Sequence, residues 1–245
     1  MKNVLTLLIA ILFTAGMSFA QIGTHEATIT QVGNGNSSEI EQTAHFNDGH
    51  VATTNQQGNN NQSDIVQEQS SAEAFVSQIG NSNISDLKQA GYNDADVRMT
   101  GNSNILGSYN NLGSGVAFQK NGTGSFAAGF NKLTLSVTGN YNLFGLDQEA
   151  GTEARIGVVG SRNEVKLFQR DDNDGSTSSY ARVDIDGNWN MVDVQQGDGL
   201  TETDNFTRIS IEGSYNQSEV IQVSSFNSAR VNVIGDGNTS DIYQF

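Results

Sequence analysis

The side chains best suited to chemistry in this 245-residue chain are three histidines and one acidic segment. His25, His45 and His50 cluster near the start, and a metal site there is one interpretation. Their spacing does not complete a known ligand set, so solvent-facing loop or strand-end positions are the favoured interpretation. The segment DDNDG at 171–175 partly matches a calcium-binding loop, but it lacks the acids that the EF-hand pattern requires at its first and last positions. We interpret it as a solvated acidic loop and leave loose calcium binding open.

Recognised catalytic motifs are missing from the sequence. It contains no Gly-x-Ser-x-Gly, no His-Glu-x-x-His, no phosphate-binding loop and no dinucleotide fingerprint. It has no cysteine, which excludes thiolate chemistry and disulfides. A net charge of −15 has the wrong sign for binding the phosphates of nucleic acids. We therefore predict a protein that is not an enzyme, with no catalytic, cofactor-binding or metal-binding residues and no nucleic-acid partner.

The first twenty residues have the pattern of a secretory signal peptide. Lys2 precedes an apolar run at 4–13, and small residues follow before the predicted cleavage between Ala20 and Gln21. The apolar run is too short for a comfortable membrane span, and no later segment resembles one. The sequence thus predicts a signal peptide at 1–20, one domain at 21–245, and a secreted product without a membrane span.

Glutamine and asparagine recur at fixed positions around a glycine. The motif Gly-x-x-Asn occurs nine times, with a degenerate tenth copy, GTGS, at Gly122. The nine glycine and asparagine pairs are Gly33 and Asn36, Gly58 and Asn61, Gly80 and Asn83, Gly101 and Asn104, Gly139 and Asn142, Gly160 and Asn163, Gly187 and Asn190, Gly213 and Asn216, and Gly235 and Asn238. Such a period indicates a repeat architecture.

The residues on both sides of each glycine alternate between apolar and polar. Glutamine stands two residues before the glycine in the first three copies, and nine residues after it in eight of the nine copies; Asn110 takes that place after Gly101. These glutamines are Gln31, Gln56 and Gln78, then Gln42, Gln67, Gln89, Gln148, Gln169, Gln196, Gln222 and Gln244. A period of two on each side predicts two half-buried strands joined by a four-residue turn. Glycine and asparagine suit that turn because both tolerate positive φ.

One strand–turn–strand unit cannot bury its own apolar face, so the units must stack. Stacking places like residues above one another at a strand spacing of roughly 4.8 Å. Glutamine and asparagine amides both donate and accept, so buried columns of them can remain hydrogen-bonded. The predicted fold is therefore all-β, an amyloid-like β-solenoid of about nine or ten rungs with roughly 22 residues each. The constant turn and the variable opposite connection predict one fixed edge and one loop edge.

The opening copy, QVGNGNSSEIEQ, carries a resemblance to a known family. Its Gln31, Gly33, Gly35, Asn36 and Gln42 fit the pattern S-x5-Q-x-G-x-G-N-x-A-x3-Q of the curlin repeat, although Ser38 replaces the alanine. The next two copies match at Gln56, Gly58, Asn61 and Gln67, and at Gln78, Gly80, Asn83 and Gln89. The similarity extends from about Thr24 to Phe245. The chain thus resembles the major subunits of curli fibres, but it has more repeats, a shorter segment before the first strand, and apolar residues in place of the first glutamine from Gly101 onward.

The resemblance implies a secreted structural subunit that assembles into extracellular functional-amyloid fibres, for adhesion and biofilm matrix. Its partners would be other copies of itself, a curli-type nucleator, and secretion and chaperone proteins. The alternative is a monomeric secreted β-solenoid that acts as an adhesin or as a polysaccharide-binding or polysaccharide-active protein.

Three further expectations concern surfaces. The last copy is complete and no capping segment follows it in the sequence, which predicts an edge strand able to pair with another chain. Trp189, Tyr141 and Tyr215 occupy turn positions and form either an exposed row that binds a dye, a sugar or a partner, or turn-edge packing. Outward acids are expected to oppose sideways aggregation; they are Glu39, Asp64, Asp86, Glu164, Asp193, Glu219 and Asp241.

Overall fold

The computed structural model describes residues 25–44, 49–69, 71–108, 110, 116–120, 131–170, 179–197 and 204–245. These residues form twenty-one strands in two sheets and no helix, and every strand pairing is parallel. No helix in this part of the chain could span a membrane. The predicted all-β fold is confirmed.

The two sheets are built from alternate strands along the chain. Sheet A contains β1 (Glu26–Val32), β3 (Val51–Asn59), β5 (Ala72–Asn81), β7 (Asn93–Thr100), β10 (Asn131–Thr134), β11 (Val137–Thr138), β13 (Thr152–Glu153), β14 (Gly157–Val159), β16 (Ser179–Asp186), β18 (Phe206–Glu212) and β20 (Ser228–Ile234). Sheet B contains β2 (Ser37–Ala44), β4 (Gln62–Gln69), β6 (Ile84–Ala90), β8 (Ile105–Gly107), β9 (Ala117–Lys120), β12 (Leu143–Glu149), β15 (Glu164–Arg170), β17 (Met191–Gln196), β19 (Gln217–Gln222) and β21 (Thr239–Gln244).

The strands stack as nine levels, and each level contributes one strand position to each sheet. Level one is β1 and β2, and level nine is β20 and β21. In sheet A, β10 with β11 forms level five and β13 with β14 forms level six. Every pairing keeps the Gly-x-x-Asn copies aligned, so equivalent residues lie above one another. This arrangement is the predicted β-solenoid.

Level four differs from the sequence alignment. In sheet B its strand is split, because β8 pairs with the first half of β6 and β9 pairs with the second half. Gln119 on β9 therefore aligns with Gln89, and the prediction that Asn110 continues this glutamine column is wrong. The residues inserted between β8 and β9 increase the sequence separation between Gly101 and the column glutamine, but the glutamine keeps its place in the column. The degenerate copy at Gly122 lies outside the described residues, and β7 pairs directly with β10, which leaves nine levels in the described part.

The core is a thin layer between the facing sheets. In sheet A the inward side chains are mainly alanine and branched apolar residues, such as Ala181, Val183 and Ile185 in level seven. Sheet B contributes Leu, Ile or Val together with the glutamine, as Val194 and Gln196 do in that level. The alternation of buried and half-buried residues along each strand follows the predicted period of two. Because the apolar layer is thin, the buried amides must be well hydrogen-bonded for the stack to be stable.

Candidate assembly interface

The turn between the two sheets requires glycine at its first position. The eight anchor glycines of levels one to eight have φ between 119° and 149°. A Cβ atom at any of them would lie 1.7 to 2.2 Å from the carbonyl oxygen of the glycine in the next level. A side chain is therefore excluded both by backbone conformation and by the close approach of the adjacent level.

The turn asparagines form a continuous hydrogen-bonded column. From Asn36 to Asn238, the Oδ1 atom of each asparagine accepts from the backbone N–H of the asparagine in the next level at 2.9 to 3.1 Å. The same Oδ1 accepts from that residue's Nδ2 at 2.9 to 3.1 Å. Each Nδ2 also donates to the next anchor glycine's carbonyl at 2.8 to 2.9 Å, which ties the turn to its neighbour.

The glutamines nine residues after the anchor form a second column. From Gln42 to Gln244, each Nε2 donates to the Oε1 of the glutamine in the next level at 2.7 to 3.0 Å. Several also donate to a carbonyl of sheet A in the same level, as Gln89 does to Glu73. The column thus joins neighbouring levels and also joins the two sheets. Gln119, which a fixed offset of nine residues from the glycine does not predict, completes the column at level four.

The glutamines before the anchor form a shorter third column. Gln31 donates to Gln56 at 2.7 Å, and Gln56 donates to Gln78 at 2.8 Å. Met99 follows in register, and the column continues upward with apolar residues. All eleven glutamines that the sequence singled out therefore take inward column positions. Those of the end levels are partly exposed because the described residues cover them on one side only.

Of the two histidines that the structure describes, His25 is half-buried just before β1, at a strand end, and His50 differs from the expectation. His50 is fully buried at the start of β3, so the expectation of a solvent-facing position is wrong for it. Its Nδ1 accepts the backbone N–H of Ala72 at 3.0 Å, and its ring stacks on His25 with centroids 5.2 Å apart. The pair begins an inward column of small and polar residues, which continues with Ala72, Asn93, Asn131, Thr152, Ser179, Asn205 and Asn227. Within the described ranges no group of three or more potential ligand residues is placed to hold a metal ion.

The predicted aromatic row is a stack along the solenoid axis. Trp189 and Tyr215 lie with centroids 6.1 Å apart and planes 8° apart. The guanidinium of Arg162 lies between Trp189 and Tyr141, 4.6 and 5.8 Å from their ring centroids. The ring faces are therefore turned largely toward one another, as cation–π and stacking contacts require. The rings thus pack on one another along the turn edge, and they also remain 48 to 65% exposed, so the structure shows both the packing and the exposed row.

The two ends of the described stack carry complementary polar groups. Within the described residues, each strand of levels one and nine has a strand partner on one side only. At level nine, Oδ1 of Asn238 accepts no hydrogen bond from these residues. Nε2 of Gln244 donates to the carbonyl of Ser228 in its own level, but to no glutamine of a further level among these residues. At level one, the backbone N–H of Asn36 and the Oε1 of Gln42 are the matching donor and acceptor. The level-one end thus presents the hydrogen-bond donor and acceptor that would complete the two columns at the level-nine end.

Carboxylates line the outward face of sheet B as the sequence predicted. Glu39, Asp64 and Asp86 lie in register in levels one to three. Partial burial, followed by the charge of Asp64, raises the pKa of Asp86 to about 6. One oxygen of Asp86 is buried without a hydrogen-bond partner in the described structure. Ionised Asp86 therefore lowers the free energy of unfolding of the protein.

Replacing Asp86 by asparagine is expected to stabilise the protein at pH 7 and to change little at pH 4. A carboxyl whose folded-state pKa lies above its unfolded value favours folding when protonated, and this contribution is lost as pH rises from about 4 to about 6. Denaturant unfolding of both proteins at the two pH values measures the effect. Glu39→Gln, an exposed position in the same column, is the control. An equal gain for Asp86→Asn at pH 4 and pH 7 would contradict this explanation.

The fold and these columns define a class, a parallel β-solenoid of strand–turn–strand repeats with buried asparagine and glutamine ladders. In comparisons with known proteins, no family model matches the chain, and no curated protein matches it. The predicted cleavage site at Ala20 and Gln21, His45 and the acidic segment at 171–175 lie outside the described residues.

Proposed function

We propose that this protein is a secreted structural subunit that assembles end to end into extracellular amyloid-like fibres of the curli type, for adhesion and biofilm matrix. The observation that carries the proposal is the complementarity of the two ends. Docking level nine of one copy onto level one of the next would let Asn238 accept from Asn36 and would let Gln244 donate to Gln42. Both ladders would then continue between molecules with the geometry they have inside one molecule.

Apolar groups support the same junction. In register, Val231 would lie over Ile29, and Ile242 over Ile40, which extends the inward columns. In the described stack Ile29 is 36% exposed, whereas Ile209, at the same position in level eight, is fully buried. Covering these side chains would add the hydrophobic stabilisation that the end levels lack.

Two contacts at the junction are unfavourable. Val233 would face Gln31, whose Oε1 would be buried without a donor, at a cost of about 1–3 kcal/mol. On the outside of sheet B, Asp241 would lie beside Glu39, and like charges at strand spacing repel. The junction is therefore predicted to be stable but sensitive to ionic strength.

Seeded growth of the purified chain is the test. We expect fibres with cross-β diffraction at roughly 4.8 Å and 10 Å spacings. Elongation should accelerate from low to moderate salt because screening weakens the Asp241–Glu39 repulsion. Asp241→Asn should elongate faster at low salt and lose most of that salt dependence. A chain that stays monomeric for days at neutral pH would overturn the proposal and favour the monomeric adhesin or polysaccharide-binding alternative.

The remaining parts of the proposal rest on the resemblance to curlin repeats. They are export to the cell surface after signal cleavage, and partner proteins that nucleate fibres, escort the chain and secrete it.

A further inference from the structure

An arginine column runs along the outward face of sheet A in levels six to nine. It consists of Arg155, Arg182, Arg208 and Arg230. The last three are directly in register on neighbouring strands. These four residues are a third of the 12 lysines and arginines of an acidic chain. Their concentration at one position is therefore not a consequence of overall composition.

An acidic column runs along the outward face of sheet B through three of the same levels. Asp193, Glu219 and Asp241 lie in register in levels seven, eight and nine. Each of these levels thus carries an arginine on one face of the solenoid and a carboxylate on the other. Both columns have the strand spacing of about 4.8 Å as their period.

Like charges directly opposite one another in a sheet are destabilising, and neighbours within the chain only partly offset them here. Arg182 pairs with Asp184 at 2.6 Å, and Arg230 lies 5.5 Å from the ring centroid of Phe206. Arg208 is exposed and forms no ion pair with any described residue. In the other column Glu219 accepts a hydrogen bond from the Tyr243 hydroxyl. Arg155 also pairs with Glu153 at 2.9 Å, and Lys166 lies in register beside Asp193, so Arg208 is the member of the arginine column with neither a carboxylate nor a ring partner among the described residues.

We propose that these columns are the two halves of a lateral contact between copies, with the outer face of sheet A on one solenoid against the outer face of sheet B on its neighbour. The contact rests on the proposed fibre function and describes how fibres associate side by side. A sideways shift without axial displacement brings three pairs together, Arg182 with Asp193, Arg208 with Glu219, and Arg230 with Asp241. This arrangement compensates the three arginines and three acids of levels seven to nine, whereas Arg155 at level six would face Lys166 and is offset by its own pair with Glu153 at 2.9 Å.

The same charges reject other lateral arrangements. Sheet A against sheet A would place arginine against arginine, and sheet B against sheet B would place acid against acid. In levels one to three, sheet A has Thr28, Thr53 and Phe75 at the arginine position, so the acids there have no counterpart. The outward acids would thus oppose most sideways contacts, as predicted from the sequence. They would permit the contact of sheet A with sheet B at levels seven to nine.

The size of the contact indicates when it forms. Three levels of a six-residue strand cover about 300 Å² on each copy, from a spacing of about 4.8 Å and a strand length of about 20 Å. Stable pairs of proteins bury about 800 Å² per partner, so single copies should not dimerise this way. Along a fibre the contact repeats with every molecule, and the contributions add. The partner surface is therefore another fibre of the same chain.

Charge reversal at level eight tests the contact away from the ends. Wild-type fibres are expected to bundle, whereas Arg208→Glu fibres should remain single filaments by electron microscopy and elongate from seeds at the wild-type rate. Mixing Arg208→Glu fibres with Glu219→Lys fibres should restore bundles, because each supplies the charge that the other needs. Arg98→Glu is the matched control, since it makes the same charge change on sheet A at level four outside the column. Salt near 0.5 M should disperse wild-type bundles, although it favours elongation.

The outcomes separate this contact from fibre growth itself. If Arg208→Glu fibres bundle as much as wild-type fibres, or if the Arg98→Glu control loses bundling equally, the lateral contact is overturned. The proposal of end-to-end elongation would be unaffected. Loss of dextran sulfate binding by Arg208→Glu, with bundling unchanged, would assign the column to a polyanion and overturn it as well. Absence of elongation in the wild type would instead overturn the proposed function.

Discussion

Replacing Gly235 by alanine is expected to stop fibre elongation while leaving the isolated protein folded. Gly235 is the anchor glycine of level nine, and a Cβ there would meet no atom closer than Nδ2 of Asn238 at 3.7 Å. In the docked junction that Cβ would point at the carbonyl oxygen of Gly33, as at interior levels, where the distance is 1.7 to 2.2 Å. A clash that costs about 3 kcal/mol would lower association more than 100-fold.

The variant should also poison wild-type seeds. Its level one is unchanged, so the variant can add to the level-nine end of a seed. No further copy can then dock on the variant's own level nine. Substoichiometric amounts should therefore block growth at that end, measured by seeded elongation and by imaging of single fibres.

Gly237→Ala is the matched control for Gly235→Ala. Gly237 also has positive φ, at 70°, but nothing lies within 4 Å of its added Cβ. Its conformational cost, about 1 kcal/mol in the left-handed region, should be smaller than that at Gly235, where φ is 109°, and it should not block the junction. Normal elongation by Gly235→Ala, with its fold verified by circular dichroism, would contradict end-to-end docking in this register.

Replacing Gly139 by alanine is expected to disrupt the solenoid itself. The Cβ would lie 1.7 Å from the carbonyl oxygen of Gly160, and the backbone at Gly139 has φ of 141°. Levels five and six would have to separate locally, with loss of the Asn142 bond to the Gly160 carbonyl at 2.9 Å. We expect a loss of about 4 kcal/mol or more in the free energy of unfolding, since strain, clash and a broken ladder combine. Guanidinium unfolding measures this loss, and hydrogen exchange should locate the opening between these levels.

Gly157→Ala separates this effect from glycine replacement in general. Gly157 lies on the outward face in the next level, and the nearest atom to an added Cβ is Oδ1 of Asp184 at 3.5 Å, an ordinary contact. Its stability should change by no more than about 0.5 kcal/mol. Similar losses for both variants would show that crowding at the anchor position is not the cause.

The Gly-x-x-Asn turn and its columns were predictable from the sequence because they depend on local rules. Strand alternation fixes which side chains point inward, and positive φ fixes where glycine must stand. In-register stacking then assigns every repeat position to one column. The eleven glutamines and nine turn asparagines were identified in this way, and in the structure they stand in the hydrogen-bonded columns described above.

Features that depend on neighbouring levels were not predictable in the same way. A fixed offset of nine residues from the glycine predicts Asn110 for the glutamine column at level four, whereas the structure has Gln119 there. The difference arises because a fixed offset cannot account for an insertion inside a strand. His50 was expected near solvent, yet its ring is buried and accepts the Ala72 N–H from the next level. The aromatic turn residues could be identified, but only their relative orientation shows that the rings face one another.

The sequence by itself therefore determined the repeat, the turn, the inward residues and the outward acids, since each follows from a period of two or from one residue's backbone preference. The tertiary structure decided which distant residues meet. Register across insertions, burial at the strand starts, the unmatched donors and acceptors at the two ends, and the coincidence of the arginine and acidic columns in levels seven to nine all arise from contacts between levels. Such contacts depend on how loops of unequal length close, and loop closure is not encoded in a local pattern.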